Sequence, residues 1–235
     1  MHKKLFLIFF LIGFLSKLYS NHPHLLSDTI VAEKRFPHWT IIAGMVAATG
    51  LSLTVDENVS QFMYDNQTKF GKKFTKISNT GGEIKIMVPA LLLTYGASII
   101  SKNEKFRITC EASIKSAIFT GIIAESGKQI FGRARPYMHL GAFHLKPFPV
   151  LNDKYKSMPS GHTSLAFSIF TPFAESYSRW IYCIPVAVAF GRVYQNKHWV
   201  SDVIAGGTVG FLSGYFFSHG RRQVEICSNG LRIWF

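Results

Sequence analysis

The chain has 235 residues and a formal net charge of +13, with 48% hydrophobic residues, 14% aromatic residues and 21 Phe. That length supports one domain with a substantial core, and no internal repeat divides it. The basic residues are scattered among apolar segments instead of forming a stripe, which argues against a nucleic-acid partner and for an anionic lipid head group or membrane surface.

At the N-terminus, His2-Lys3-Lys4 precedes an apolar run from Leu5 to Leu15, and Leu18-Tyr19-Ser20 precedes Asn21. This pattern predicts an export signal over residues 1–20, with an uncleaved anchor as the alternative. His22, His24 and His38 lack Cys or carboxylate partners at ligand spacing, so no metal site is expected there. Phe36 to Val55 is a stretch of 20 residues without Lys, Arg, Asp or Glu and is the best candidate for a spanning helix. Asp56 to Gly82 is a polar connection carrying Lys69, Lys72, Lys73 and Lys76, with a short amphipathic helix expected inside it.

Residues 21–83 therefore form an N-terminal segment, residues 84–220 a helical core and residues 221–235 a basic tail. Ile86 to Ser101 reads as an apolar helix with Pro89 near its start. Phe106 to Arg135 reads as a long helix whose polar face holds Glu111, Lys115, Glu125 and Lys128. Gly141 to Met158 is a loop rich in aromatic and basic residues, suited to a lid or substrate mouth and equally to a packed connection. Helices follow at Ser160 to Tyr177 and Arg179 to Tyr194, with kinks expected at Pro172 and Pro185. The last helix, Trp199 to His219, carries Gly206, Gly210 and Gly214 at a fourfold spacing that suits close helix packing.

Cys110 and Cys183 fall in helical stretches and read as ordinary buried thiols; with Cys227 they number three, so they cannot all pair. No segment reads as a strand. The expected fold is an all-α bundle of about six helices, membrane-associated. Its mean hydropathy of +0.16 is modest for a chain with six spans. Arg221 and Arg222 favour a C-terminus inside the cell and an active site facing away from the cytoplasm.

Three short runs carry the chemistry. Lys128 and Arg135 stand seven residues apart, which on one helix places them on the same face about 10 Å apart. Pro136 is expected to end that helix at Arg135. Pro159-Ser160-Gly161-His162 opens an apolar helix, whose start offers backbone N–H groups, a hydroxyl and a dipole that favours anions. Gly161 lets a phosphate oxygen approach the backbone. His198 and Asp202 are four apart, so the carboxylate can hold one ring nitrogen as N–H and leave the other as a lone pair.

These runs resemble the type 2 phosphatidic acid phosphatase and vanadium haloperoxidase superfamily, which carries Lys-x6-Arg-Pro, Pro-Ser-Gly-His and Ser-Arg-x5-His-x3-Asp in this order. All three are present from Lys128 to Asp202, with Gly191 standing where the resemblance expects Ser before Arg192. That Ser is not the nucleophile, so the departure is expected to cost little beyond a hydrogen bond. The resemblance implies a metal-independent phosphoryl transfer with no cofactor. His198, oriented by Asp202, would form a phosphohistidine, and His162 would protonate the leaving oxygen. Lys128, Arg135, Arg192, Ser160 and Gly161 would hold the phosphate oxygens. Opposite protonation states of the two histidines predict a bell-shaped pH profile.

Each run alone has a plainer reading: a surface His–Asp pair, a common helix start, a solvated basic face. Their co-occurrence favours the site. Arg133, between the fixed positions of the first run, is expected as a rim charge. The implied substrate is a lipid phosphate such as phosphatidic acid, phosphatidylglycerol phosphate, a polyprenyl diphosphate or a phosphorylated glycolipid. A secreted soluble acid phosphatase is the alternative, followed by a vanadate-dependent haloperoxidase and a non-catalytic anion-binding envelope protein.

Overall fold

The computed structural model describes residues 38–219, 224–227 and 230–233. The expected export signal, its cleavage point before Asn21, His22 and His24, and Arg221 and Arg222 lie outside the described residues. Among the described residues eight α-helices follow in chain order: α1 (His38–Ser52), α2 (Asp56–Asp65), α3 (Lys69–Ser78), α4 (Ile84–Ile100), α5 (Glu104–Phe131), α6 (Gly161–Ser176), α7 (Cys183–Tyr194) and α8 (Val200–His219). The helical bundle expected from the sequence is present, with α3 as the short amphipathic helix of the polar connection and α2 as an additional short helix.

One expectation changes here, and the spanning candidate Phe36 to Val55 is described only from His38 onward. Within the described residues α1 has 15 residues, about 22 Å, against the roughly 30 Å of a bilayer core. Among the described residues α8 alone is long and apolar enough to cross one unbroken. The tail also forms a two-stranded antiparallel hairpin, β1 (Val224–Cys227) with β2 (Gly230–Ile233), where no strand was expected.

α6 and α8 form the central pair, with α5 packed against both, and the glycines of α8 explain how close they come. A Cβ at Gly206 would lie 2.6 Å from the Ser160 carbonyl oxygen, one at Gly210 2.3 Å from that of Ser164, and one at Gly214 2.6 Å from Thr171 Cβ. No larger residue fits this seam without separating the helices.

The interior is built from small and hydroxyl residues. Ser113 Oγ on α5 donates to the Ile169 carbonyl on α6 at 3.0 Å, and Thr109 Oγ1 reaches Ser176 Oγ at 3.0 Å. The apolar core proper is small, centred on Met87, Leu91, Leu165 and Ile169. Large apolar side chains instead face outward, such as Leu93 and Ile100 on α4, Ile118 and Ile122 on α5, and Phe216 on α8. Small inside and large apolar outside is the arrangement that suits a lipid solvent.

Pro185 sits in the first turn of α7, after a 3-10 turn over Arg179–Tyr182, and so begins a helix instead of kinking one. Pro172 lies inside α6. Cys110 is buried as expected, whereas Cys183, the first residue of α7, is exposed.

Candidate active site

Helix α5 stops at Phe131 because Gly132 turns the chain. Its φ is +53°, and a Cβ there would lie 1.8 Å from the Lys146 carbonyl oxygen, so a side chain is excluded on both counts. Lys128 thus sits in the last turn of the helix, while Arg133, Ala134 and Arg135 run on outside it. The expected shared helical face for Lys128 and Arg135 is replaced by a helix end and a loop strand.

The connection over residues 141–158 pins that strand. Ala134 N donates to the His144 carbonyl at 2.9 Å, Lys146 N to Gly132 at 2.7 Å, Arg135 N to Lys154 at 3.0 Å and Ser157 N to Arg133 at 3.1 Å. The base of this loop is therefore packed structure, and its tip is open: Leu151 is 96% exposed.

The Ser160 side of the site is built on the start of α6. Ser160 is the N-cap, its N–H donates to the Asp202 carbonyl oxygen at 2.9 Å, and its buried hydroxyl lies 3.0 Å from Thr163 Oγ1. Lys128 Nζ comes so close to Gly161 that a Cβ there would sit 3.0 Å from it. Glu125 holds that ammonium at 3.3 Å and takes Lys156 Nζ at 2.7 Å. Arg192, at the end of α7, is buried, and its Nε makes no hydrogen bond among the described residues.

His198 lies between α7 and α8 and is 2% exposed. Its Nδ1 is 2.8 Å from the Ser157 carbonyl oxygen. A carbonyl only accepts, so Nδ1 carries the proton and Nε2 keeps its lone pair. That lone pair meets Arg135 Nη1 at 3.3 Å. Arg135 is itself clamped by Asp153, whose carboxylate takes Nη2 at 2.9 and 3.0 Å and whose carbonyl takes Nε at 2.9 Å.

Asp202 does not hold the imidazole as expected. Its Oδ2 is 3.7 Å from His198 Nδ1, and it accepts instead from the Ser157 hydroxyl and from Trp199 N at 2.9 Å. Asp202 therefore steadies Ser157, and the Ser157 carbonyl steadies the ring.

Arg133 is not a rim charge. It is 2% exposed, and it donates from Nη1 to Asp202 Oδ1 at 2.7 Å and Ser201 Oγ at 2.6 Å, from Nη2 to Asp56 Oδ2 at 2.7 Å, and from Nε to the Ala142 carbonyl at 2.6 Å. Asp56, the first residue of α2, also takes Ser201 N at 2.9 Å and Ser201 Oγ at 2.5 Å. Two buried carboxylates thus share one buried guanidinium beneath the histidine. The only sequence signal for Asp56 was its place directly after a long uncharged stretch.

A second residue missed in the sequence is Glu83, whose carboxylate is 3.1 Å from His162 Nε2. It stands just before α4, where nothing in the local pattern marks it. Burial pushes the His162 imidazole down to about 4, aided by Arg192 and opposed by Glu83. Burial pushes His198 down to about 3, against the pull of Asp202 and with Arg135 and Arg192 adding to the shift. The cations that suit an anion thus disfavour a third positive charge, and an anion among them would raise both histidines.

Gly191 departs from the expected Ser for a visible reason. A Cβ there would lie 2.7 Å from Asn79 Oδ1 and 2.9 Å from Ser78 Oγ. The last residue of α3 and the one after it occupy the space that a Ser side chain would need.

The chain is similar to several known proteins. The profile of the PAP2 superfamily matches residues 112–225. A lipid A 1-phosphatase of Porphyromonas gingivalis is 30% identical over 177 residues, covering 72% of this chain and 36% of that protein, so the chain spans little more than a third of its relative's length. Aquifex aeolicus LpxE superposes with a TM-score of 0.54 at 20% identity, over 69% of this chain and 94% of that structure. The first transmembrane PAP2-type phosphatidylglycerolphosphate phosphatase from Bacillus subtilis superposes with a TM-score of 0.51 at 17% identity, over 74% and 92%.

Proposed function

We propose that the chain, whose residues 112–225 match the profile of the PAP2 superfamily, is a metal-independent phosphatase of that superfamily, removing phosphate from a lipid phosphate monoester or diphosphate. The observation that carries the proposal is the His198 Nε2 lone pair, facing Arg135 Nη1 at 3.3 Å in a tautomer set by the Ser157 carbonyl.

In the proposed reaction, Nε2 attacks phosphorus in line with the leaving oxygen. The P–N bond forms as the P–O bond to the lipid breaks, and His162 gives its proton to the departing oxygen. Water then attacks the phosphohistidine, passes a proton to His162 and releases phosphate as the P–N bond breaks. Lys128, Arg135, Arg192, the Ser160 hydroxyl and the Gly161 N–H stabilise charge on the three equatorial oxygens, the role that metal ions fill in other phosphatases. Asp202 acts through Ser157, and Glu83 favours the protonated form of His162.

A membrane setting is supported by the outward apolar side chains and by α8. Placement of the site outside the cytoplasm rests on Arg221 and Arg222 after α8. The P. gingivalis relative, named a lipid A 1-phosphatase, favours a phosphorylated glycolipid among the lipid phosphates.

The test is phosphate release from a lipid A 1-phosphate, a short-chain phosphatidic acid and p-nitrophenyl phosphate, with chelator present, by wild type and His198→Ala. Lipid turnover by wild type alone is expected. Equal silence from both proteins, or equal activity, overturns the proposal, and preference for p-nitrophenyl phosphate points to a soluble acid phosphatase.

A further inference from the structure

Helix α3 has three faces, and two of them have no work inside the fold. At 3.6 residues per turn, Gly71, Thr75 and Ser78 form one stripe, Phe70, Phe74 and Ile77 a second, and Lys69, Lys72, Lys73 and Lys76 a third. The first stripe docks on the end of α7. Gln195 Nε2 donates to the buried Thr75 Oγ1 at 3.1 Å, and a Cβ at Gly71 would lie 2.2 Å from Tyr194 Oη. The second is open: Phe70 is 79% exposed, Phe74 43% and Ile77 52%, with the two Phe rings stacked at 6.4 Å. The four lysines of the third are exposed as well.

The surroundings say what covers these faces. The axis bends by 52° between α3 with its 3-10 turn and α4, whose own outer residues Ile84, Leu92, Leu93 and Ile100 are exposed and apolar. A helix coated in large apolar residues belongs in hydrocarbon. One turned away from it by this angle, with an apolar stripe beside a basic stripe, belongs in the head-group layer. Water alone would leave Phe70 and Phe74 exposed without cause, and a wholly hydrocarbon setting would strand four ammonium groups.

We propose that α3 lies in the head-group plane of a membrane leaflet, docks there on anionic lipid, and so holds the phosphate site at the depth of its substrate's head group. The link to the site is short and stiff. A Cβ at Gly82 would lie 2.5 Å from the His162 carbonyl oxygen, Glu83 pairs with His162, and Ser78 and Asn79 press on Gly191 beside Arg192. The docking stands independently of the proposed activity; the effect on turnover rests on it.

The experiment uses the full chain reconstituted into phosphatidylcholine vesicles with and without phosphatidylglycerol. Docking is read from Phe74→Trp, whose added fluorescence is measured over the background of the 4 native Trp. Brominated lipid carrying bromine near the carbonyl end of its chains is expected to quench the introduced indole more than lipid brominated at the chain tail or aqueous iodide. Stronger quenching by iodide, or by tail-brominated lipid, overturns the docking whatever the activity.

Turnover is read from Lys72→Gln/Lys73→Gln. Each lysine lost is expected to raise the apparent KM for a lipid phosphate in anionic vesicles by up to about fivefold, with p-nitrophenyl phosphate hydrolysis unchanged. A KM that does not move between the two vesicle types overturns the role of the charge. If neither substrate is hydrolysed by wild type while the quenching pattern holds, the phosphatase reading fails and the docking stands.

Discussion

Arg135 Nη1 and His198 Nε2 face each other at 3.3 Å, with Asp153 holding the far side of the same guanidinium at 2.9 Å. One planar fork thus touches the proposed nucleophile and its own anchor at once. A Lys ammonium is a point charge on a flexible stem and cannot do both. Arg135→Lys is therefore expected to fall close to Arg135→Ala, each lowering kcat by roughly 100- to 1,000-fold, as measured by phosphate release at saturating substrate. Full activity in Arg135→Lys would show that charge alone suffices.

Arg133 pairs with both Asp56 and Asp202 in a buried site. Arg133→Met leaves two buried carboxylates unpaired and is expected to cost about 3–5 kcal/mol of stability, read from denaturant unfolding in detergent. Adding Asp56→Asn removes one orphaned charge and should recover part of the loss, a coupling that a simple packing defect would not show.

The alkaline limb of activity should report His162, which acts as an acid in its protonated form. Glu83 favours that form, so Glu83→Gln lowers the His162 pKa further below its present value of about 4. The protonated fraction then falls at every pH above that value, and the alkaline limb of kcat/KM moves to lower pH. A substrate dianion raises the same pKa, so the alkaline limb of kcat lies at higher pH than that of kcat/KM. Rate profiles of wild type and Glu83→Gln check both shifts, and coincident profiles would remove Glu83 from the mechanism.

Gly191→Ser restores the residue that the resemblance expects, yet its Cβ would meet Asn79 Oδ1 at 2.7 Å. The substitution is expected to destabilise by about 1–3 kcal/mol, and Asn79→Ala in the same chain should relieve the overlap. Thermal unfolding of the single and double variants measures this.

The helical order, the proposed site residues of the three runs and the close packing along α8 were legible because they depend on local pattern: apolar periodicity, a helix start, a fourfold glycine spacing. Pro136 predicts a helix end at Arg135, whereas Gly132 stops α5 four residues earlier against Lys146, a residue from the following loop that no local pattern brings to it.

By itself the sequence determined the fold class, the residues of the three runs and, through them, the resemblance. Only the tertiary structure decided that Arg133 lies beneath His198 with Asp56 and Asp202, that Ser157 stands between Asp202 and the imidazole, and that Glu83 meets His162. Asp56 and Glu83 lie 77 and 79 positions from Arg133 and His162. Local periodicity carries no trace of such distant pairs, whereas a buried charge must find its partner wherever the fold brings one within reach.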